Sequence, residues 1–249
     1  MFLINKEGMK MKFENKVVVL TGGVKGIGRC IKETFEKQGA HVCIIDVLDN
    51  DYFVGSIGNK EDLICFTNKV IKDYGHVDYI INNANPIFKG IDSCSYEEFN
   101  EALQVGVTGP FMLVKLLKDY LNEDACVINI SSTRDRMSQP QSESYSAAKG
   151  ALSALTHALA VSLSKKARVN SISPGWIDTE NKEYQGSDVN QHLVKRVGKV
   201  DDIAHLVLFL CSEEAGFITG ENICVDGGMT KLMIYHNDYG WKLGDEDYE

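Results

Sequence analysis

Short apolar runs rich in valine and isoleucine recur along the chain, separated by longer stretches of helical character. Each run is apolar throughout instead of alternating with polar residues, which is typical of strands buried on both faces of a parallel sheet. Strands that alternate with helices in this way indicate βαβ units. The pattern therefore predicts an α/β fold, a doubly wound parallel sheet of about seven strands with helices on both faces. The runs occupy residues 17–20, 42–45, 53–55, 79–81, 127–130, 169–172 and 223–225.

The stretches between the runs carry helix signals of their own. Ser95 followed by Glu98 predicts a capping box at the start of a helix that runs to about residue 121. Residues 144–164 are rich in alanine and leucine and contain no proline, which predicts a second long helix. A third helix is predicted from about Asp201 to Cys211, because a carboxylate is favourable at a helix N-terminus.

One crossover is too short for a helix. Only six residues separate Asp46, at the end of the second predicted strand, from the third strand at 53–55. A parallel crossover normally takes a dozen residues or more. We therefore predict that the helix between strands 2 and 3 is missing.

Length and composition fit one domain. The chain has 249 residues, 44% of them apolar, which is enough for a sizeable core. We expect one domain over residues 1–249, with an N-terminal extension at 1–11, a substrate loop at 176–198 and a C-terminal tail at 229–249.

Charge and cysteine content narrow the possible partners. Acidic residues number 35 against 26 lysines and arginines, a formal net charge of −9 without a basic stripe, so no nucleic-acid partner is expected. No apolar run approaches the roughly 20 residues of a membrane helix, so we expect a cytoplasmic protein without a membrane partner. The seven cysteines stand singly, which predicts neither a disulfide framework nor a metal site.

A glycine-rich turn follows the first predicted strand directly. The segment TGGVKGIG, residues 21–28, leads into a helix near Arg29. Gly22 and Gly26 allow the backbone to approach a pyrophosphate, and Gly28 permits close packing of helix on strand. The helix N-terminus offers free amides to the anion. The context predicts a Rossmann-type dinucleotide site.

Asp46 bears on the choice of cofactor. It lies 18 residues beyond Gly28, at the end of the second predicted strand. Its carboxylate can accept hydrogen bonds from ribose hydroxyls and would repel a 2′-phosphate, which favours NAD over NADP. Lys25 is the opposing signal, because a lysine there could meet a 2′-phosphate or be a solvated bystander.

Three further residues have the chemistry of a proton-transfer site. Tyr145 and Lys149 are four residues apart on the second long helix and therefore share a face. The ammonium, together with an oxidised nicotinamide ring, is expected to lower the tyrosine pKa toward the working pH. Ser132, 13 residues before the tyrosine, can hold a carbonyl or alcohol oxygen. Each residue alone has an ordinary structural explanation. Together, in a chain that also contains the glycine-rich turn, the three residues predict general acid–base catalysis.

Several motifs together resemble the short-chain dehydrogenase/reductase family over about residues 13–228. NNAN at 82–85 is similar to the family's NNAG segment, and SPGWIDTE at 173–180 to its nicotinamide loop. The resemblance implies an NAD(P)-dependent oxidoreductase with Ser132, Tyr145 and Lys149 as catalytic residues, and a homo-oligomer, dimer or tetramer, formed through the long helices. It implies a cofactor site made of Gly22, Val24, Lys25, Gly26, Ile27, Gly28, Asp46, Ser56, Ile57, Asn82, Ala84, Tyr145, Lys149, Pro174, Gly175, Ile177 and Thr179.

Three departures from the family pattern bear on the site, and two of them, Gly106 and the missing helix between strands 2 and 3, leave a second hypothesis open. Gly106 stands where the family carries an asparagine of the proton relay, and Ser56 where relatives use an acidic residue on the adenine amine. Glycine could still permit a helix distortion that exposes a carbonyl to the relay water. The alternative function is an NAD-binding sensor or scaffold with impaired catalysis, against which the intact Ser, Tyr and Lys set argues.

Four residues are candidates for contact with the substrate. The loop at 133–143 is unusually polar, and Arg134 in it could pair with a carboxylate or phosphate or be an ordinary surface arginine. Gln139, Glu143 and Trp176 are further pocket candidates. We expect a small-molecule substrate, a polar carbonyl or alcohol.

Overall fold

The structure, a computed structural model, describes residues 11–235 and 237–238. The predicted N-terminal extension therefore lies outside the described residues except for Met11. The same holds for residue 236 and for residues 239–249 of the predicted tail.

Every apolar run predicted as a strand lies in a strand. The strands are β1 (Val17–Thr21), β2 (His41–Asp46), β3 (Phe53–Val54), β4 (Val77–Asn82), β5 (Leu121–Ile130), β6 (Ala167–Pro174), β7 (Ile177–Asp178), β8 (Gly198–Lys199) and β9 (Asn222–Val225). Seven of them form one parallel sheet in the order β3-β2-β1-β4-β5-β6-β9, while β7 and β8 pair separately. The predicted seven-stranded parallel sheet is confirmed.

Helices cover both faces of this sheet. They are α1 (Gly26–Lys37), α2 (Lys60–Tyr74), α3 (Tyr96–Leu103), α4 (Gly109–Leu117), α5 (Glu143–Ser162), α6 (Ser187–Asn190) and α7 (Val200–Cys211). Alternate residues of β1 enter two separate cores: Val18 and Leu20 pack with α1 and α7, and Val17 and Val19 pack with α2, α4 and α5. Burial on both faces explains why the strand is apolar throughout.

The helix predicted from Ser95 to about residue 121 is broken and shorter. The capping box of Ser95 and Glu98 is present. A π-helical turn, Gln104–Thr108, separates α3 from α4, and α4 ends at Leu117 because Leu121 is already the first residue of β5. The prediction of one continuous helix was wrong, since uniform helical propensity does not reveal a local change in winding.

Two other connections were predicted from the sequence. No helix lies between β2 and β3, as predicted: the Asn50 side chain closes this six-residue segment by accepting from the backbone N–H groups of Tyr52 and Phe53 and donating to the Leu48 carbonyl. α7 begins at Val200, and the carboxylate that serves its N-terminus is Asp202 instead of Asp201. Asp202 accepts from the Lys199 N–H at 2.7 Å.

The strand order reverses direction at β1, which lies between β2 and β4. In doubly wound sheets ligands bind outside the carboxyl ends of the strands at such a switch point. Among the described residues, no helix is both long and apolar enough to cross a lipid bilayer.

Candidate active site

A cavity of about 700 Å³ opens at the carboxyl ends of β1, β4, β5 and β6, a volume typical of small-molecule sites. Twelve residues predicted from the sequence line it: Gly22, Lys25, Gly26, Ile27, Gly28, Ala84, Ser132, Tyr145, Pro174, Gly175, Ile177 and Thr179. Lining residues that sequence reasoning missed are Arg29, Asn83, Asn85, Ile130, Ser131 and Glu180. The structure thus brings together the glycine turn, Ser132 and Tyr145, and the segment after β6.

The glycine turn has the geometry of an anion site. α1 begins at Gly26, its N-cap Lys25 makes no side-chain cap hydrogen bond, and its first turn contains no acidic residue, so the N-terminal amides are free to bind an anion. Gly22 has a φ of +69°, and a Cβ there would lie 2.9 Å from the Ala84 Cα. A Cβ on Gly28 would collide with the Gly22 carbonyl oxygen. The turn therefore requires glycine and fits the pyrophosphate of a dinucleotide.

Asn83, and not Asn82, reaches this turn. The Asn83 Nδ2 donates to the carbonyl oxygens of Gly22 at 2.8 Å and Thr21 at 3.1 Å. Asn82 points into the interior, where its Nδ2 donates to the Asn129 Oδ1 at 2.8 Å. Successive side chains at a strand end point to opposite sides, so the NNAN motif alone does not tell which asparagine faces the cavity.

Asp46 lies at the end of β2, beside the glycine turn. Its Oδ2 accepts from the Val24 N–H and its Oδ1 from the Leu48 N–H, each at 3.0 Å. Neither Asp46 nor Val24 is part of the cavity wall described above. The carboxylate is therefore held in a fixed position next to the turn by two backbone donors.

Ser56 and Ile57 lie after β3, also outside that wall. The Ser56 N–H donates to the Asp62 Oδ2 at 2.8 Å, and Ile57 is buried. Asp62, in the first turn of α2, therefore places a carboxylate beside Ser56. Sequence reasoning missed Asp62 because it lies six residues away on another element.

Tyr145 and Lys149 lie on the first two turns of α5, and Ser132 is the second residue after β5. The Lys149 side chain is 1% exposed, and its Nζ donates to the Ile130 carbonyl at 2.7 Å. The same Nζ lies 5.4 Å from the centre of the Tyr145 ring. The shared helix face predicted from the spacing of four is therefore present, but the ammonium is bonded to a carbonyl at the end of β5.

Burial is the largest influence on the pKa of Lys149 and on the pKa of Tyr145. It lowers the pKa of Lys149 to about 7. It also raises the pKa of Tyr145 above the ordinary value, and the opposing effects of the Ser132 hydroxyl and the Arg134 charge are smaller. The sequence-based expectation was a lowered tyrosine pKa; in this structure desolvation of the phenol outweighs the nearby positive charges.

Gly106 lies in the π-helical turn Gln104–Thr108. A Cβ there would come within 2.7 Å of the Ala148 Cβ on α5. The expected helix distortion is therefore present, and glycine allows it to pack directly against α5, the helix that carries Tyr145 and Lys149. The carbonyl contact with a relay water stays a prediction.

None of the four substrate-side residues lies in the cavity wall described above. Arg134 donates from Nη2 to the Gln139 Oε1, and its guanidinium lies 4.7 Å from the centre of the Phe88 ring. The Glu143 Oε2 accepts from the Ile91 N–H at 3.2 Å, which directs it toward the loop before α3.

Trp176 begins the predicted substrate loop. Its ring packs edge-on against Tyr184 at 5.0 Å and lies 6.2 Å from His192. His192 is buried, a residue that sequence reasoning did not single out. The segment at 176–198 is more ordered than a plain loop, because it contains β7, α6 and the start of β8.

Comparison with known proteins finds relatives over most of the chain. Residues 22–230 match a family model described as Enoyl-(Acyl carrier protein) reductase. An uncharacterized oxidoreductase of Thermotoga maritima is 39% identical over 252 residues, covering 89% of this chain and 98% of the relative. An apo SCOR enzyme from Clostridium thermocellum superposes with a TM-score of 0.87 at 40% identity, covering 93% of this chain and 99% of that one. A 4-hydroxyisoleucine dehydrogenase solved in complex with NADH gives 0.80 at 27% identity, covering 88% and 100%.

Proposed function

The chain belongs to the short-chain dehydrogenase/reductase family, and from that premise we propose that it is an NAD(H)-dependent oxidoreductase of small, polar alcohols or carbonyls. At the coarser level of the family, it is an oxidoreductase acting on CH–OH groups with a nucleotide cofactor. The observation that carries the proposal is Tyr145, which lines the same cavity as Ser132 and the uncapped N-terminus of α1.

The proposed roles follow from these positions. A bound nicotinamide dinucleotide supplies the acceptor or donor of the hydride. In alcohol oxidation the hydrogen on the reacting carbon would leave as hydride, with the electron pair of its C–H bond, to the nicotinamide, and the hydroxyl proton would pass to the Tyr145 phenolate. In reduction the Tyr145 phenol would return a proton to the carbonyl oxygen. Ser132 orients the reacting oxygen, and Lys149, when protonated, places a positive charge near the tyrosine ring.

The raised pKa of Tyr145 favours the protonated phenol as the starting state. With its pKa above the ordinary value, the phenol is protonated at neutral pH, which is the form needed to donate a proton to a carbonyl. Alcohol oxidation requires the phenolate and therefore benefits from higher pH.

Asp46 supports a preference for NAD. Two backbone N–H groups hold its carboxylate at the end of β2, where a 2′-phosphate would meet a fixed negative charge. NADH bound in the 4-hydroxyisoleucine dehydrogenase structure agrees with this choice.

The direct test combines cofactor binding with turnover. We expect NADH to bind more tightly than NADPH in fluorescence titrations, and absorbance at 340 nm to report turnover with sugars, polyols, hydroxy acids or ketones. Tyr145→Phe is expected to lower kcat by about 100- to 10,000-fold and to leave the NADH Kd nearly unchanged. Equal turnover by the variant would remove Tyr145 from the mechanism.

The sensor or scaffold hypothesis makes a different prediction. It rests on Gly106 at the relay position, and it requires tight NADH binding without turnover of any substrate in the panel. Under that hypothesis Tyr145→Phe would leave every cellular readout unchanged.

A homo-oligomer is part of the proposal. Phe111 on α4 and Val161 on α5 are exposed apolar residues on the two helices that would form such an interface. Sedimentation velocity at micromolar concentration is expected to give a dimer or tetramer, and a monomer would refute this part.

A further inference from the structure

Two arginines of the loop after Ser132 have different surroundings. Arg136 donates to both carboxylate oxygens of Asp135, at 2.8 and 3.1 Å. Arg134 makes no ion pair in the described part of the chain, although acidic residues outnumber basic ones. Arg136 is thus paired within the protein, whereas the positive charge of Arg134 is available for an anion from outside it.

One end of the Arg134 guanidinium is left without a partner. Its Nη2 donates to the Gln139 Oε1, whereas its Nη1 is buried and has no hydrogen-bond partner among the described residues. A buried donor of a charged group that stays unpaired costs free energy on the order of 1–3 kcal/mol or more. An anion that reaches the guanidinium would pair its positive charge, which has no carboxylate partner among the described residues, because a planar guanidinium matches a carboxylate or phosphate.

The position of Arg134 links it to the reacting atoms. Its backbone N–H donates to the Ser132 Oγ at 3.2 Å. Its guanidinium stacks on the Phe88 ring at 4.7 Å, and the Phe88 ring lies 5.4 Å from the ring of Tyr145. The positive charge also opposes the rise in the pKa of Tyr145 caused by burial. Arg134 therefore lies close to Ser132 and Tyr145, next to the wall of the cavity that these two residues line.

The anion proposed to bind Arg134 is a different group from the cofactor's pyrophosphate. The glycine turn that fits the pyrophosphate lies at the end of β1, and Arg134 follows β5, two strands away in the sheet. Neighbouring strands are about 5 Å apart, so the two sites are separated by roughly 10 Å. One small molecule between them would place its reacting carbon near Tyr145 and its anionic end at Arg134.

The backbone that carries Arg134 is anchored. The side chain of Asp135, the next residue, is 4% exposed. Its Oδ2 accepts from Ser153 on α5 at 2.8 Å, from Ser173 on β6 at 3.2 Å, and from the Asn222 Nδ2 on β9. Three elements therefore hold the turn between Ser132 and Asp135, so that Arg134 is preorganised for binding.

We propose that Arg134, backed by Phe88 and oriented by Gln139, binds an anionic group of the substrate, a carboxylate or a phosphate. The substrate is then a hydroxy acid, an oxo acid or a sugar phosphate, in preference to a neutral sugar or polyol. This inference rests on the proposed function and names the substrate class of the same site.

The test compares charged and neutral partners of the same skeleton. Hydroxy acids are assayed against their amides, and sugar phosphates against the free sugars, with wild type, Arg134→Gln and Arg134→Lys. We expect wild type to prefer the anionic member by at least about tenfold in kcat/KM, and Arg134→Gln to raise its KM by about tenfold or more, equivalent to about 1.4 kcal/mol. Neutral members are expected to change less than about threefold, and lysine to restore part of the affinity. The acid and phosphate pairs tell which anion is used.

Arg136→Gln is the matched control, since it removes the same charge from the same loop. It is expected to affect charged and neutral substrates alike. Preference of wild type for neutral substrates, or an equal loss on both classes in Arg134→Gln, would overturn the inference while leaving the oxidoreductase function standing.

A second measurement does not depend on turnover. Calorimetric titration of the NADH-loaded protein with tartrate and with inorganic phosphate is expected to show binding of at least one anion that Arg134→Gln weakens tenfold or more. Equal binding by wild type and Arg134→Gln, or no binding of either anion by wild type, would refute the anion site. Absence of turnover with every substrate would instead count against the proposed function.

Discussion

The cofactor side and the substrate side of the cavity are built from different materials. On the cofactor side, the turn after β1 offers backbone amides, and its glycines are required because a Cβ would strike neighbouring backbone. On the substrate side, Arg134 contacts the side chains of Gln139, five residues later in the same loop, and of Phe88 from another segment. A site made of backbone leaves a short motif in the sequence, whereas a side-chain contact across segments does not: the sequence pointed to Arg134 and Gln139 but not to Phe88.

Among the predictions that separate the two regions, the largest effect is a loss of NADH affinity on the cofactor side. Gly28→Ala would place a Cβ against the Gly22 carbonyl oxygen and 2.5 Å from the Asn83 Nδ2. We expect the NADH Kd to rise on the order of 100-fold, about 2.7 kcal/mol, in fluorescence titrations. Gly150→Ala is the control, because a Cβ there meets only the Asp135 carbonyl at 3.7 Å and replaces a helical glycine. An unchanged Kd in Gly28→Ala would show that the turn does not cradle the cofactor.

The second prediction concerns the free energy of unfolding that is lost by burying the Lys149 side chain. The pKa of Lys149 is about 7 in the folded protein and 10.5 ordinarily, so between these values the unfolded chain binds a proton that the native state does not. Stability of the wild type therefore rises with pH from about 7 to 10, and the cost of the buried charge is complete below pH 7. Lys149→Met removes this cost, and we expect it to be more stable than wild type by about 2 kcal/mol at pH 6.5, with the difference shrinking by pH 9.5.

Urea unfolding at the two pH values measures this difference. Lys115→Met, at an exposed position on α4, is the control and should show no such pH dependence. A difference between Lys149→Met and wild type that stays constant with pH would contradict the lowered lysine pKa.

The smallest predicted effect concerns a helix cap that is not part of the cavity wall. The Ser95 Oγ accepts from the Glu98 N–H at 3.1 Å at the start of α3. Ser95→Ala is expected to lower the free energy of unfolding by about 1 kcal/mol and to leave kcat/KM unchanged. Ser93→Ala, an exposed serine two residues earlier, should change neither quantity. A loss of activity in Ser95→Ala without loss of stability would give this cap a role beyond the helix.

Local signals account for what could be predicted of the fold. The strands, the capping box and the missing crossover helix between β2 and β3 follow from runs of a few residues, and the structure has all of them. Gly106 indicated a possible helix distortion, but the π-helical winding at Gln104–Thr108 could not be predicted, because it depends on how closely Gly106 packs against Ala148 in α5.

The sequence by itself determined the sheet, the glycine turn and the order of Ser132, Tyr145 and Lys149, since each rests on neighbours in the chain or on a helical spacing of four. Tertiary structure decided the rest: which asparagine, 82 or 83, faces the cavity, the contact of Arg134 with Phe88, and the raised pKa of Tyr145. Burial is a sum over atoms from many segments, and the proton affinity of a buried group follows that sum more than its nearest charged residue.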